Sequence, residues 1–540
     1  MKIALRNFLT TLRRYKSSSL LNIIGLTLAF TACYIILVQV RWEMTYNRTL
    51  KDSDRIYLLE SADWYTPDQW QAWICRPMAE FLISSASAVE AGGCTWSGFG
   101  PSVVLRENAS KMGYDRFNIY SGSISLPLLD VFEFKSVAGD VHDLQRAQSV
   151  IISRTTAEQL GVGIGDMIWC DTEQPSAENA REVVAIFEDF PQNSLLADCK
   201  MAMDLGDYSL DDQSEWGFNY FVRLHSGADP QQVVEEWKKA YVEMYPGDAN
   251  EEGELDSDPI RLSCIRDIYF ESDSRVPCQQ GSLVTTYTLL GIAMLVIALA
   301  FINFVNFFFA LVPVRIRTVN TFKVFGAPNG SLRFGFIFEA VGLVVIALLL
   351  AWYLAFAIQS TELASYISAP LNMAQNLPVI GILLAVAVAM ALVASLYPAW
   401  YITSFPPAMV VKGSFSGTVG GRRLRTLLLG FQFTISMGLI IATGFILLQH
   451  NFMLRQDMGF DRRNLMAVQL SSTAAMSYDA LRDRLLADPR VVDVTGAEGR
   501  LISVDRMGWG RMYKGERISL QAYIVRWNFL KMMGLSLIHI

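Results

Sequence analysis

The sequence has 540 residues, enough for several domains, and is 52% hydrophobic with a positive mean hydropathy. A net charge of −7 and only four histidines argue against nucleic-acid binding, which needs clustered basic residues, and against a histidine-based triad or zinc cluster. The apolar residues gather in long blocks of the size a helix needs to cross a bilayer, about 20 residues, so an ordinary soluble protein is excluded.

In chain order, residues 1–19 form a basic cytoplasmic N-terminus with Lys2, Arg6, Arg13, Arg14 and Lys16. A first span follows at 20–40. Its apolar run exceeds the h-region of a signal peptide, and Arg41-Trp42-Glu43 offers no small-residue cleavage site, so an uncleaved helix is expected. Residues 41–283 form a large soluble domain of α+β texture. Ser149–Ser153, 182–187 and Phe218–Leu224 read as strands. Residues 155–160 and Pro230–Met244 read as helices, the second with Asp229 as N-cap and Pro230 in its first turn. Further spans are predicted at 284–312, 334–357 and 377–400. A basic loop at 401–426 leads to a fifth span at 427–449, and 450–540 starts a second outer domain that stops short. The chain is expected to be a piece of a longer protein.

Charge sets the orientation. Segments 1–19, 313–333 and 401–426 hold thirteen Lys and Arg and no Asp or Glu; the alternating segments hold 32 basic and 51 acidic residues. Short Lys/Arg-rich loops stay cytoplasmic. The expected fold is therefore a polytopic α-helical membrane protein with five spans in this chain, its N-terminus inside and its large α+β domain extracytoplasmic.

Six of the seven cysteines, Cys75, Cys94, Cys170, Cys199, Cys264 and Cys278, fall in the first outer domain. An oxidising compartment permits disulfides, and the even count favours one or more bridges over six small buried thiols. No CxxC spacing points to a metal site.

Within the spans, Asn303 and Asn306 share one helix face, which suits interhelical hydrogen bonding. Glu339 is the sole charged residue of the five spans. It lies six residues from the inner end of the third, about 9 Å deep. Two readings stay open: a helix-packing or gating partner, or an interfacial acid within reach of water or Arg333. Pro398 reads as a terminator or kink of the fourth span. No G-x-x-x-x-G-K-[ST] phosphate loop occurs, so the chain is expected to bind no ATP and to need no cofactor of its own. No catalytic constellation stands out, and paired acids such as Glu188-Asp189 read as solvated turns.

Tyr46-Asn47, Asp54-Arg55-Ile56-Tyr57, Val131-Phe132-Glu133-Phe134, Gly139-Asp140, the run from Phe187 through Pro191 to Ser194, and Asp267-Ile268-Tyr269-Phe270 resemble a MacB-like periplasmic core domain. Lys323-Val324-Phe325-Gly326-Ala327, then Glu339, Leu396-Tyr397-Pro398-Ala399 and Ser404-Phe405-Pro406-Pro407 resemble an FtsX-like permease domain. Phe431-Gln432-Phe433 and Met458-Gly459-Phe460-Asp461 resemble the second half of eight-span members. The whole resembles an ABC transporter permease of the MacB/FtsX type.

The resemblance implies a non-enzymatic subunit of the inner membrane. Its partners would be a separate ABC ATPase, a second permease copy, and a membrane-fusion protein or other periplasmic partner. ATP-driven motion would reach the outer domain for export or mechanotransmission. The ATPase-coupling residues would be Arg315, Arg317, Lys323, Gly326 and Ala327, on a short helix from Arg315 to Phe325 that ends at Gly326. Thr318, Asn320 and Phe322 stand where the family usually has Glu, Gly and Arg, which leaves a less charged loop. The alternative is a membrane sensor or regulator of cell-wall hydrolases or of the antimicrobial-peptide response.

Overall fold

The structure is a computed structural model that describes residues 2–535 except 64–68, 109, 111–112, 173, 247–249, 251–254, 256–257, 277, 405–418, 458, 461–463, 471, 500–506 and 515. Lys412, most of the Ser404–Pro407 motif, Met458 and Asp461 therefore lie outside the described residues. The chain divides into two compact units.

The first unit is helical. After an N-terminal helix, Lys2–Arg14, come five long helices: Lys16–Met44, Leu283–Val324, Asn329–Gln359, Leu377–Ser404 and Val419–Arg455. All five contain a stretch long and apolar enough to cross a membrane, in agreement with the five predicted spans. The second begins at Ser282, whose hydroxyl accepts from the Thr285 N–H and so satisfies one of the donors left open at a helix start.

Spans one and three pack through small residues. Thr27 and Thr31 hydroxyls lie 3.4 Å from the carbonyls of Ala347 and Ala351, and Ala347, Ala351 and Ala355 are all buried. Alanines repeating every four residues let two backbones approach closely. The fourth helix runs through Pro398 and ends only at Ser404. Pro398 is therefore neither its terminator nor its last turn, because the following residues still find helical partners.

The second unit is built on a mixed sheet. Its strands are β1 (Ile56–Ala62), β2 (Trp70–Gln71), β3 (Val89–Asn108), β4 (Gly113–Ile124), β5 (Ser136–Gly139), β6 (Ser149–Ser153), β7 (Met167–Trp169), β8 (Ala180–Phe187), β9 (Met201–Asp204), β10 (Phe218–Leu224), β11 (Ile260–Cys264) and β12 (Ser274–Arg275). Their order is β12-β2-β1-β10-β3-β4-β9-β6-β8-β5, with β11 on β1 and β7 bridging β3 and β8. β4–β9, β6–β8 and β2–β12 are parallel; the other pairs are antiparallel.

Period-two alternation explains why β10 is buried on both faces. Phe218, Tyr220, Val222 and Leu224 enter one core with Trp237 of the helix Pro230–Met244, while Phe221 enters another with Ile56, Leu58, Phe132 and Phe187. The register Leu58↔Phe221 and Leu59↔Tyr220 aligns the same alternation on β1. Helix Pro230–Met244 starts as expected, with the Asp229 carboxylate accepting from the Gln231 N–H.

One expectation is corrected here. Cys75, Cys94, Cys170, Cys199, Cys264 and Cys278 are all unbridged thiols. Cys75 and Cys94 fill the core around Trp237, Cys170 the core around Val150 and Ile152, and Cys199 the core around Phe187. They act as small apolar fillers. Burial pushes Cys170 and Cys278 up to about 12, so these thiols are poor nucleophiles for forming a bridge.

Candidate functional site

The loop between the second and third spans is a helical hairpin, not a separate short helix. The second span's helix continues unbroken from Leu283 to Val324, so Arg315, Arg317 and Lys323 ride on its end. The end is a tight turn at Gly326, which has φ +85°. The Ala327 N–H donates to the Phe322 carbonyl and the Gly326 N–H to the Lys323 carbonyl. This pair of bonds caps the last turn and requires a left-handed residue where Gly326 stands. Pro328 and Asn329 then start the third span's helix.

The two limbs are braced by one ion pair. The two terminal guanidinium nitrogens of Arg315, Nη1 and Nη2, donate to the Glu339 carboxylate, at 2.5 Å, with side chains only 13% and 6% exposed. The same guanidinium lies 5.3 Å from the Phe336 ring centroid. A bidentate, charge-assisted contact is the strongest kind a side chain makes. Glu339 is thus a helix-packing partner of Arg315, and Arg333 is not its counterion.

Arg333 reaches the fourth helix instead. Its Nε donates to the Thr403 hydroxyl at 2.9 Å, and its guanidinium sits 4.6 Å over the Trp400 ring. Lys323 Nζ donates to the Thr403 carbonyl. Burial, then the neighbouring Arg333 charge, pushes the Lys323 ammonium below its ordinary value. Beneath these polar ties lies an apolar cluster of Ile316, Val319, Phe336, Ala399 and Ile402. Sequence reasoning missed Thr403 and Phe336, since nothing local distinguishes either. Ala327 completes the turn; the Arg317 side chain lies outside the described residues.

In the membrane-spanning part, the Gln432 side-chain amide of the fifth span donates to Oδ1 of Asn303 at 3.0 Å. Asn306, on the same helix face, has both amide atoms buried with no hydrogen-bond partner among the described residues. Where spans one and two border the sheet unit in sequence, the Thr286 hydroxyl donates to the Glu43 carboxylate.

The sheet unit holds two polar constructions. Asn47 is fully buried at φ +59°, a conformation Asn tolerates better than most residues. Its amide donates to the Ile265 carbonyl and accepts from the Leu195 N–H at 2.8 Å, and Tyr46 stacks on Tyr269 at 4.4 Å. The first and last segments of residues 45–280 are thereby tied together inside the domain. Separately, Glu60 is 0% exposed and accepts from Arg261, Ser263 and Ser274. Arg261 also faces Glu271 and Asp273 and lies 4.7 Å over the Trp70 ring. Burial, then the Glu60 charge, lifts Glu271 to about 7. Among the described residues no group of His, Cys, Asp and Glu is arranged to hold a metal ion.

Two family models match the chain in sequence order. The MacB-like periplasmic core domain covers residues 19–240, and the FtsX-like permease C-terminal domain covers 290–407. No curated protein matches. Among solved structures, a domain of a putative permease protein from Porphyromonas gingivalis is 20% identical; the match covers 44% of this chain and 99% of that one, with a TM-score of 0.32. The periplasmic region of MacB from Actinobacillus actinomycetemcomitans is 10% identical, over 41% and 92%, at 0.28. The extracellular domain of the noncanonic ABC-type transporter YknZ from Gram-positive bacteria is 13% identical, over 38% and 99%, at 0.27.

Proposed function

We propose, from the premise that this multi-pass chain belongs to the ABC transporter permeases of the MacB/FtsX type, that it couples ATP hydrolysis on a separate ATPase subunit to movement of its sheet domain. The proposed arrangement has the basic loops in the cytoplasm, the sheet domain in the periplasm, and two permease copies side by side in the inner membrane. A membrane-fusion protein or another periplasmic partner would receive the motion, for export or for mechanotransmission. The chain itself acts without catalysis.

One observation carries this reading: the second span is a single unbroken helix that extends past the apolar stretch and is braced to the third by Arg315–Glu339. At 1.5 Å per residue its 42 residues make a rod about 63 Å long. A push at residues 322–327 then has no hinge to absorb it before Leu283. The Thr286–Glu43 contact joins the outer end of that rod to span one, so the two helices bordering the sheet domain in sequence move as a pair. This sequence contains no phosphate loop, which supports placing hydrolysis on a separate subunit in this reading.

The test is co-reconstitution with candidate ABC ATPase subunits. Vanadate-sensitive hydrolysis is expected to rise when the permease is added and to fall back with Gly326→Pro plus Lys323→Glu, since proline cannot adopt the positive φ of that turn. Unchanged hydrolysis on adding the wild-type permease contradicts coupling; full stimulation by the double variant removes the hairpin from it.

A further inference from the structure

The N-terminal helix Lys2–Arg14 stops one residue before the helix of span one begins at Lys16. Contacts between spans one and three give their relative heights. Thr27 meets Ala347 and Thr31 meets Ala351, so the two helices run parallel and residue 22 is level with Gly342. Were helix Lys2–Arg14 a straight continuation of span one, Phe8 would lie about 21 Å away from that level along the axis. Instead Phe8 is buried, and a Cβ on Gly342 would come within 3.1 Å of its ring. The break at Tyr15 therefore turns the N-terminal helix back across the ends of the spans, and Phe8 fills the notch that Gly342 leaves on span three.

The depth of that notch follows from span three itself. About 20 residues separate the Arg315–Glu339 pair from the end of the helix at Gln359, or about 30 Å, the thickness of a bilayer core. The ion pair thus marks one boundary of the hydrocarbon, and Gly342 lies about 4.5 Å inside it. A helix lying in an interface buries its apolar face roughly 5–10 Å into that boundary. Phe8, Leu9 and Leu12 share one face of the helix, and Leu9 is 48% exposed. Leu20, Leu21 and Ile24 at the start of span one are exposed as well, as lipid-facing positions are.

The remaining surface is cationic. Arg6 and Arg13 are seven residues apart and share a face that flanks the apolar stripe; Arg14 and Lys16 follow. All four are exposed, and residues 1–19 contain no Asp or Glu. Among the described residues no carboxylate pairs with any of the four. An apolar stripe flanked by unneutralised cations at the hydrocarbon boundary complements the phosphates of an anionic lipid surface.

We infer that helix Lys2–Arg14 is an interfacial helix, and that Arg6, Arg13, Arg14 and Lys16 bind the headgroups of anionic phospholipids. Phe8 and Gly342 hold it against span three, three residues from Glu339. The lipid contact therefore bears on span three beside the pair that braces the hairpin. No ATPase enters this contact, so it stands apart from the coupling reading above.

The experiment uses the full chain in a cysteine-free background, without any ATPase, in phosphatidylcholine nanodiscs. Leu9→Cys carries the fluorophore NBD, and Leu349→Cys in the middle of span three, 57% exposed, serves as the control. Each disc contains a minor share of either phosphatidylglycerol or phosphatidylcholine with a nitroxide quencher on its acyl chain. Residue 9 should be quenched about fivefold or more efficiently by the phosphatidylglycerol probe, a preference equivalent to about 1 kcal/mol, one cation's attraction to an anionic surface. Residue 349 should be quenched equally by both. Arg6→Gln plus Arg13→Gln should bring residue 9 close to equality without changing its quenching by phosphatidylcholine, and high salt should do the same. Lys2, Arg14 and Lys16 remain in that variant to keep the spans oriented, and an unchanged signal at residue 349 shows that the bundle is intact.

Absence of quenching at residue 9 by either lipid would overturn the proposal, because the apolar face would then be open to water or to a protein partner. Equal quenching by both lipids in the wild-type chain would overturn the headgroup contact. A preference that survives both the arginine variant and high salt would overturn the role given to these cations.

Discussion

Two arginine–carboxylate sites in this chain solve the same problem differently. In the helical unit, Arg315 meets one acid, Glu339, in a closed bidentate pair. In the sheet unit, Arg261 faces three acids, Glu60, Glu271 and Asp273, with Ser263 and Ser274 adding hydroxyl donors to Glu60. Next to hydrocarbon an unbalanced charge has no water to turn to, so the pair must match one for one. A domain edge has hydroxyls and solvent within reach and tolerates an acid surplus. Burial first, and then the Glu60 charge, lifts the Glu271 carboxyl to about 7.

The sharpest way to break this contrast is Glu339→Leu. It leaves the Arg315 charge alone in a half-dry setting and should cost about 3–5 kcal/mol, read as a large fall in the thermal midpoint of the detergent-solubilised chain. Arg315→Met plus Glu339→Leu should recover most of that loss. If the single and double variants are equally destabilised, the pair is not what braces the hairpin.

Arg261→Met should act less strongly. Glu60 loses its charged partner but keeps two hydroxyl donors, so a loss of about 2–3 kcal/mol is expected, measured by denaturant unfolding monitored in the sheet domain. A cost equal to that of Glu339→Leu would erase the difference between the two sites.

Smaller again is a pH effect. The folded value of Glu271 lies above its ordinary 4.5, so the neutral form is favoured in the folded domain. Its contribution is fully present below about 4.5 and is lost as pH rises through about 7. Wild-type stability should therefore decline over that window more steeply than that of Glu271→Gln. Parallel pH profiles would show that the acid surplus is relieved some other way.

The least effect belongs to a neutral contact in the helices. Gln432→Leu removes the bond to Asn303 and is expected to cost about 0.6 kcal/mol and no more than about 2. The fifth span buries none of its most apolar stretch within this chain, so little else there resists the change.

Much of this was legible in the sequence, and the failures have physical causes. The five spans, β6, β10 and the helix at Pro230 follow from long apolar runs, alternation, and an Asp-Pro start, all local signals. The partner of Glu339 needed one further step. Arg333 is six residues away on the same helix, which turns it to another face. Arg315 and Glu339 are each about ten residues from the turn, and positions equidistant from a helical hairpin's turn lie level with each other. The turn was visible in Gly326 and Pro328, but taking 315–325 as a separate helix hid the symmetry. The Asn47 clamp had no such cue, since Leu195 and Ile265 are remote in sequence. The disulfide expectation used count and compartment alone; pairing depends on which core each thiol fills.

Coupling through the inner hairpin requires it to lie on the opposite side of the membrane from the sheet domain. In a cysteine-free background, Phe325→Cys and Gln213→Cys occupy exposed positions on the hairpin tip and in the domain. With a membrane-impermeant thiol reagent applied to intact spheroplasts, residue 213 should label at once and residue 325 only after lysis. Labelling of residue 325 in intact spheroplasts, or protection of residue 213, would contradict the proposed coupling outright.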